Sequence, residues 1–555
     1  MKCMIINIIR NVCSIFLYAF ILNSYCYADQ AHNFIRIPID VPLKDLDPTF
    51  AFCEASIELS EQLFIGLTEV LFNASDCQVV PDLSEKWTLH ENASVYRFFL
   101  RKNVFWVKGI SGECIRPVTA HDIEWAIKRN IRPETDAPYA FALNILKNGE
   151  EIHSGKIKDI SKIGVKAIDD YTVEFTLKYP ASYFPYLLSL WIYRPLPAEV
   201  VSSHKDKWTE PHHILTNGPY IVKKWEKKNQ IILRKNPHYY NANSVSLPEI
   251  HFVIVQQGFA GLHLFNENKL DILGDGFLSI PYEKLPIISN SEKYQNEFVS
   301  FPKLSGYSYI LNTLRPPLDN VLVRKALSLA VNRKLLTDII TQCNEAPATS
   351  FTPPILLNIS KISEMPDFGI DFDPHQAKEL LKQSGYENGH NCPELLLMHP
   401  VSENHSLIAK SIQTFFKFYL NIHLNIEAKD WEEYNKIIFQ KDRKKAPHLT
   451  SFAWGADYPD AYNWLHDAFL YSQEFTGWNN KNYDYLVEAA GKDLNRNHRN
   501  QLYQKADNLL VKEEVVFIPL FFVAGKYLIK PSIKNHPIIP TYGQQLMRWQ
   551  IKTNY

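Results

Sequence analysis

The chain has 555 residues, enough for about three or four domains of roughly 150 residues each. Hydrophobic residues make up 46%, as in an ordinary globular protein. Basic and acidic residues nearly balance, 59 against 60, for a formal net charge of −1, and no basic stripe is present, so we expect no nucleic-acid partner. The aromatic fraction of 13% suits a site that grips apolar side chains, although a large core also uses aromatic residues.

The N-terminus has the pattern of a secretory leader. Lys2 and Arg10 precede an apolar stretch at residues 12–22, and Ala28 ends a small-residue cleavage site. The apolar stretch is short for a membrane span, which needs about 20 residues. We therefore expect a signal peptide at residues 1–28 and a mature periplasmic protein. A lipid anchor at Cys26 is a weaker alternative.

Cysteine spacing predicts no zinc site. Of the eight cysteines, three precede the cleavage site, which leaves Cys53, Cys77, Cys114, Cys343 and Cys392. An exported protein can pair some of these, and Cys53 with Cys77 is the first candidate pair. Free buried thiols are an equally good interpretation. The 19 histidines are scattered, so we expect no metal site.

Helix and strand patterns alternate along the chain, which predicts a mixed α/β protein. Residues 95–101 and 171–178 alternate as half-buried strands do. Thr119 and Asp122 form a capping box that opens a helix to about Arg129.

Later helices have similar signals. Asp319 is expected to cap a helix over 321–340, and Asp373-Pro374 precedes a helix at 378–383 that ends before Gly385. A further helix is predicted over 406–420, followed by a strand at 422–428.

The most informative run is Trp454-Gly-Ala-Asp-Tyr-Pro-Asp460, which follows an apolar strand at 449–453. Its aromatic residues surround Asp457, and a carboxylate in such a place is costly unless it meets a cation. An aromatic-walled aspartate at a strand end is a natural receptor for an ammonium group. The alternative is a structural aspartate that caps the next helix.

This run resembles a segment of the extracytoplasmic oligopeptide-binding proteins, solute-binding family 5 of the peptide ABC importers. Four further landmarks resemble the family in the expected order: an opening at residues 46–48 and 63–69, then residues 81–122, 216–240 and 311–333. The resemblance implies an α/β fold, a two-lobe periplasmic binding protein of class II, peptide-binding type, with an extra small α/β domain.

The resemblance also implies a division of the chain. Lobe I combines residues 29–72, 196–302 and 515–555, the additional small domain covers 73–195, and lobe II covers 303–514. The chain is expected to cross between the lobes near 301–311 and 515–523.

In the resembling family, the aspartate that corresponds to Asp457 holds the α-amino group of the peptide. The resemblance implies ligand contacts for Glu54 and Tyr139, for which the alternatives are a solvated loop acid and a tyrosine that packs a helix turn. Trp431 corresponds to an aromatic pocket wall, or else is a core tryptophan. Gly274 belongs to a ligand-lining loop, or to a turn without contact.

The strand from Phe452 to Trp454 is our candidate edge for pairing with peptide backbone, with Tyr458 beside Asp457. Phe521, on the second crossing, faces the cleft or packs in the core.

The binding of the ligand's carboxylate end is less defined. His405 aligns with a histidine that some members use for it. Other members have an arginine where this chain has Ser451, and Arg443 or Lys441 is a possible substitute.

The sequence has no nucleophile elbow, Walker loop or H-E-x-x-H motif, so we expect no enzyme, no cofactor and no nucleotide site. The favoured function is a monomeric receptor that captures short peptides for a membrane permease with separate ATPase subunits. The same fold with another solute (a cell-wall peptide, haem or a nickel chelate) is the first alternative. A secreted hydrolase and a surface interaction protein are further ones.

Overall fold

The structure is a computed structural model that describes residues 33–72, 77–90, 94–338, 344–359, 368–440, 442–536, 541 and 543–552. The predicted leader with Cys26, as well as Cys343 and Lys441, lies outside these ranges. Across the described ranges we find no helix that is both long and apolar enough to cross a membrane.

The strands, in chain order, are β1 Phe34–Ile39, β2 Thr68–Phe72, β3 Cys77–Pro81, β4 Ser84–His90, β5 Val95–Leu100, β6 Phe105–Lys108, β7 Cys114–Pro117, β8 Val165–Asp169, β9 Thr172–Thr176, β10 Leu215–Thr216, β11 Tyr220–Glu226, β12 Gln230–Lys235, β13 Glu249–Ile254, β14 Ile272–Gly274, β15 Phe298–Leu311, β16 Ala346–Pro347, β17 Leu395–Pro400, β18 Leu424–Lys429, β19 Leu449–Gly455, β20 Phe517–Ile529, β21 Ile533–Lys534 and β22 Gln550–Ile551.

The α-helices are α1 Glu54–Leu63, α2 Ala120–Asn130, α3 Gly149–His153, α4 Phe184–Leu187, α5 Ala198–His204, α6 Gly258–Asn266, α7 Leu285–Ser289, α8 Val321–Leu329, α9 Arg333–Leu336, α10 Pro374–Gln383, α11 Glu403–Phe415, α12 Trp431–Ile438, α13 Phe469–Thr476, α14 Lys481–Lys492 and α15 Arg496–Asn508.

The largest sheet has the order β14-β20-β15-β19-β17-β18, with β16 also paired to β20. Its two long strands, β15 and β20, pair antiparallel from Phe298–Leu528 to Ile310–Phe517. β17 pairs in parallel with both β18 and β19. These three strands therefore end at the same edge of the sheet, where open α/β sheets bind their ligands.

Two four-stranded sheets precede it in the chain. One has the order β1-β13-β12-β11 and the other β4-β5-β9-β8. A smaller sheet joins β10 to β6 and β7, so the segment after residue 196 pairs with the segment before it. Mixed strand and helix order along the whole chain confirms the predicted α/β class.

The predicted capping box at the start of α2 is present, and the Asp122 carboxylate accepts a hydrogen bond from the Thr119 backbone at 2.9 Å. The prediction for the helix at 321–340 was wrong in two ways. Asn320 caps α8 in place of Asp319, and the helix ends at Leu329. Asn332 then caps the separate short helix α9, because its side chain accepts a hydrogen bond from Leu335 N–H.

The candidate disulfide between Cys53 and Cys77 does not form, and both side chains are thiols. The Cys53 thiol lies 3.3 Å from the Ser56 hydroxyl at the start of α1. The buried Cys77 thiol lies 3.6 Å from the Pro459 carbonyl oxygen. Each thiol therefore has a local polar partner of its own.

Candidate functional site

The second half of β19 forms an open strand edge in the largest sheet. β19 pairs with β15 along its full length, from Leu311–Leu449 to Ser305–Gly455. On its other side β19 meets β17 only at Leu449 and Thr450. Within the described ranges, the rest of that side has no strand partner.

Alternate residues of β19 direct their backbone groups to opposite sides. Ala456 N–H donates to Leu304 O in β15 at 2.8 Å. The even-numbered residues of this stretch therefore face β15, and the odd-numbered residues face the other side. Ala453 and Gly455 therefore present their N–H and C=O groups at the open side. An extended ligand lying along this edge meets those two residues first.

Asp457 lies directly after this strand. Its Oδ1 accepts a hydrogen bond from the Tyr139 hydroxyl at 3.2 Å, and its Oδ2 accepts one from Asn463 Nδ2 at 3.3 Å. Within the described ranges, no lysine, arginine or histidine nitrogen forms an ion pair with it. Burial, helped by the nearby Asp467, raises its pKa to about 6, although the two hydrogen bonds act in the opposite direction.

The capping alternative for Asp457 does not hold, because its carboxylate accepts from two side chains rather than from a helix backbone. The neighbouring Asp460 is the acid that binds backbone here, since its Oδ1 accepts a hydrogen bond from Tyr462 N–H at 2.9 Å. The Asp457 carboxylate remains available to the cleft.

A cavity of about 620 Å³ opens beside Asp457. Two segments line it, one at 139–190 and the other at 454–470. Its lining residues are Tyr139, Phe141, Ala142, Asn144, Ile145, Glu150, Lys178, Tyr179, Tyr183, Leu187, Leu190, Trp454, Asp457, Tyr458, Tyr462, His466, Asp467 and Leu470.

Aromatic rings form one wall of this cavity. Tyr183 stacks on Tyr462 with ring centroids 4.2 Å apart, and Tyr462 stacks on His466 at 4.3 Å. Tyr458 lies parallel to Tyr183 at 6.0 Å. Stacked rings of this kind are stiff, because each side chain has only two torsions to fix.

A polar network behind Asp457 holds this wall in place. Asn463 Nδ2 donates to both Asp457 and Asp467, at 3.3 and 3.2 Å. The Tyr458 hydroxyl donates to Asp467 Oδ2 at 2.7 Å, and His466 Nδ1 lies 2.8 Å from Asp467 Oδ1. Asp467 thus has a histidine partner within the described ranges, whereas Asp457 has none.

Glu54 and the Gly274 loop lie together in a second cluster. Burial raises the pKa of Glu54, while Lys303 and the Gly276 backbone lower it. Lys303 pairs with Asp275 at 2.8 Å. Glu54 is half-buried in the first turn of α1, so it is not a solvated loop acid.

The Gly274 conformation has a structural cause. Its φ of +143° is rare for other residues, and a Cβ there would lie 2.1 Å from Lys526 O. Lys303 also lines a cavity of about 140 Å³ with Ala453 and Gly455, which connects this cluster to the β19 edge.

His405, Tyr307 and Phe521 form one contact chain. The Tyr307 hydroxyl is hydrogen-bonded to His405 Nδ1, and the Tyr307 ring stacks on Phe521 at 5.4 Å. Burial and the neighbouring His399 lower the pKa of His405. At neutral pH this histidine is therefore uncharged.

The remaining candidates divide between exposed and buried positions. Trp431 is 64% exposed at the start of α12, which rules out the core alternative. Phe452 packs against Phe351 and Phe517 and is buried, so its side chain belongs to the core. Arg443 is half-buried and donates to main-chain oxygens of Ile438 and Phe475, so its guanidinium is already used.

Sequence patterns did not predict much of the cavity wall, including Tyr179, Tyr183 and Asp467, nor the buried Asn463 behind it. Asn463 and Asp467 are four residues apart and follow the Asp457 motif, which is a detectable helical spacing. The tyrosines near residue 180 carry no local signal of this kind. Within the described ranges, no group of three or more metal-ligating side chains is arranged around a common point.

Residues 78–475 match the family model described as bacterial extracellular solute-binding proteins, family 5, middle region. The chain belongs to this family. Family 5 proteins act outside the cytoplasmic membrane as solute-binding receptors, and they work with ABC transporters.

Curated family 5 relatives match along most of the chain. The probable deoxycholate-binding periplasmic protein YgiS of Escherichia coli is 28% identical over 507 residues, covering 89% of this chain and 88% of that protein. The periplasmic oligopeptide-binding protein OppA of Salmonella typhimurium is 27% identical over 498 residues, with the same two coverages of 89% and 88%.

Solved structures confirm the two-lobe fold. The periplasmic murein tripeptide-binding protein MppA, in an unliganded open form, is 25% identical with a TM-score of 0.80, covering 94% of this chain and 97% of that one. A structure of the Escherichia coli murein tripeptide-binding protein MppA is 26% identical with a TM-score of 0.67, covering 94% of this chain and 99% of that one.

Proposed function

We propose that this chain is a receptor that captures short peptides between two lobes and delivers them to the permease of an ABC importer. The observation that carries the proposal is the carboxylate of Asp457, which lies at the end of an open strand edge with no cation paired to it within the described ranges. The α-amino group of a peptide supplies the missing charge.

The strand edge supports the peptide assignment independently. Ala453 and Gly455 present backbone donors and acceptors at the cleft, and a peptide backbone pairs with such groups irrespective of its side chains. An ammonium at Asp457 sets the direction of the peptide, whose chain then runs antiparallel to β19. The two features together recognise a free amino terminus followed by an extended backbone.

Charge disfavours an acidic solute in the cavity. Glu150, Asp457 and Asp467 line it against Lys178 and His466. A ligand carboxylate near Asp457 would meet a like charge in a partly buried place, which is costly. For this reason we favour a peptide over a bile-acid ligand, although a relative is named for binding deoxycholate.

We infer that the lobes close over the peptide and exclude water, which strengthens the contact with Asp457. The divisions expected from the sequence remain our proposal for the moving parts: residues 29–72, 196–302 and 515–555 for lobe I, 73–195 for the small domain and 303–514 for lobe II. A signal peptide at 1–28 delivers the protein to the periplasm, where it acts as a monomer without catalysis. Separate ATPase subunits of the importer drive transport.

Native mass spectrometry of the protein purified without added ligand tests this function. Wild type is expected to retain a mixture of masses that match short peptides, and Asp457→Ala is expected to lose them. A single non-peptide mass, or an unchanged ligand in the variant, would overturn the assignment. Peptides incubated with the protein should be recovered intact, since a hydrolase would consume them.

A further inference from the structure

Asn463 lies directly behind the Asp457 carboxylate, and its side chain is fully buried. The residue begins a π-helical stretch, Asn463–Ala468. Such wide turns are rare in proteins and occur frequently at functional sites. Here the turn directs the Asn463 amide back onto the loop that carries Asp457.

Four hydrogen bonds use the full capacity of this amide. Its Oδ1 accepts from Trp454 Nε1 at 3.0 Å and from Asp457 N–H at 3.3 Å. Its Nδ2 donates to Asp457 Oδ2 at 3.3 Å and to Asp467 Oδ2 at 3.2 Å. An asparagine side chain has two donor hydrogens and two acceptor lone pairs, so every one has a partner. A rotated amide would turn its oxygen toward two carboxylates, so only this orientation fits.

We propose that Asn463 is a positioning residue that orients the Asp457 carboxylate and the Trp454 ring together for the amino terminus of a bound peptide. The inference rests on the proposed function, because it takes Asp457 as the ammonium site. Asn463 is itself buried, so it acts through these two residues and does not touch the peptide.

A neutral donor suits this position better than a cation. Within the described ranges, Asp457 forms no ion pair, so its charge is available to an ammonium group. A lysine or arginine in place of Asn463 would also favour the charged carboxylate, but it would cancel the charge that the ammonium meets. The amide instead satisfies one oxygen of Asp457 and one of Asp467 without neutralising either acid.

The Asn463 hydrogen bond also affects the ionisation of Asp457. Burial raises the pKa of this carboxyl to about 6, and the bond from Asn463 is the strongest influence in the opposite direction, ahead of the bond from Tyr139. Loss of one hydrogen bond to a carboxylate is expected to raise its pKa by about one unit. Asn463 therefore extends the pH range in which Asp457 is charged.

Other ionisable groups face Asp457 from both sides. Asp467 raises its pKa directly. Further groups line the large cavity on one side of Asp457 and a smaller cavity on the other: Glu150, Lys178, Tyr179, Tyr183, Tyr458, Tyr462 and His466 on the first, and Glu61, Glu69, Asp82, Arg194 and Tyr239 on the second. All of them are retained when Asn463 alone is replaced, so a difference from wild type reports the loss of the amide.

Calorimetric titration of Ala-Ala-Ala from pH 5 to pH 8 tests the role of Asn463. Wild type is expected to lose affinity with a midpoint near pH 6, and Asn463→Ala with a midpoint near pH 7. The variant should bind about threefold more weakly at pH 8, because orientation is lost, and more than about tenfold more weakly at pH 6, because ionisation is lost as well. An unchanged midpoint in the variant would overturn the assignment.

Asn236→Ala is the matched control. Asn236 is equally buried, its Nδ2 donates to Gly218 O at 2.9 Å and its Oδ1 accepts from His238 N–H at 2.9 Å. The control should lower the thermal midpoint as Asn463→Ala does but leave the pH midpoint of binding at the wild-type value. Asn463→Ser leaves a smaller space and serves as the second variant, with a shift in the same direction as Asn463→Ala.

The outcomes separate the two proposals. If wild-type affinity depends neither on pH nor on N-acetylation of the peptide, the ammonium role of Asp457 fails, and the role of Asn463 fails with it. If wild type has its midpoint near pH 6 and the Asn463 variants keep it, the receptor function stands and the positioning role fails. An equal shift in Asn236→Ala would also contradict the positioning role, because general loss of stability would then explain the change.

Discussion

Tyr139 and Asp457 are 318 positions apart in the chain, yet the tyrosine hydroxyl donates a hydrogen bond to Asp457 Oδ1 at 3.2 Å. The tyrosine ring is fixed against Trp191, with centroids 4.7 Å apart. The bond favours the charged form of the carboxylate and partly offsets the effect of burial on its pKa. Tyr139 therefore both shapes the cavity and keeps Asp457 ready for a cation.

Tyr139→Phe is expected to weaken peptide binding by about threefold to tenfold at pH 7, since a net hydrogen bond contributes roughly 1 kcal/mol. The ring remains, so the thermal midpoint should change little. Calorimetry and thermal unfolding measure the two effects. Tyr294→Phe, which removes a hydroxyl bonded to Asn266 Oδ1, is the matched control and should bind peptide as wild type does.

Peptide affinity should decrease at acid pH, with a midpoint near pH 6. Asp457 has a pKa of about 6 in the ligand-free protein, and a protonated carboxyl cannot pair with an ammonium. Binding at pH 5 is then expected to be about tenfold weaker than at pH 7, and it should fall again above about pH 8, where the α-amino group loses its proton. The affinity of Asp457→Asn should not change between pH 5 and pH 7. A wild-type affinity that does not vary from pH 5 to 7 contradicts the assigned role.

The same raised pKa predicts the pH dependence of stability. Because the folded protein binds this proton more tightly than the unfolded chain, the contribution of Asp457 is fully present below its usual pKa of 3.8 and is lost as the pH rises through about 6. Without ligand, Asp457→Asn should therefore be more stable than wild type at pH 7.5, by about 1–2 kcal/mol after allowance for partial exposure.

Urea unfolding at pH 4 and pH 7.5 measures this difference. The advantage of Asp457→Asn should shrink toward pH 4, where wild type is protonated. An advantage that is the same at both values would mean that the substitution acts through packing rather than charge.

Several parts of the fold follow from local chemistry in the sequence. The Thr119 box predicts the start of α2, because capping depends only on residues within one helical turn. Gly385 follows the end of α10, as predicted, and its φ of +90° is the left-handed conformation common just after a helix. The helix break after Leu329 was not predicted. Asn332 caps the next helix, which starts at Arg333, but an asparagine within an apolar helical pattern does not by itself indicate a break.

The sequence predicted the residues of the site only where they are close neighbours along the chain. The Asp457 run contains the end of a strand, the aromatic residues and the acid within seven positions, so a short stretch of sequence is enough to predict its chemistry. The opposite wall comes from residues 139–190, and no short-range pattern states that Tyr183 will stack on Tyr462. Arg443 was offered as a ligand for a carboxylate, but packing turns its guanidinium toward carbonyl oxygens.

The buried ion pair between Asp460 and Arg499 supports the loop that carries Asp457. Side-chain exposures of 11% and 7% for Arg499 and Asp460 mean that neither charge is solvated. Arg499→Met would leave Asp460 uncompensated and is expected to lower the free energy of unfolding by about 3–5 kcal/mol.

Urea unfolding at pH 7 measures that loss. Lys334→Ala, which breaks an exposed pair with Asp338, is the control and should change the free energy by less than about 0.5 kcal/mol. Equal effects of the two substitutions would mean that burial of the Asp460 pair adds nothing to stability.

Calorimetry with Ala-Ala-Ala and its N-acetylated form shows whether Asp457 binds the amino terminus of a peptide. Wild type should bind the free peptide and lose at least a hundredfold in affinity on acetylation, since removal of one charge from a buried pair costs about 3–5 kcal/mol. Asp457→Asn should bind both forms weakly and alike. Equal binding of the two peptides by wild type would mean that Asp457 does not bind the ammonium group.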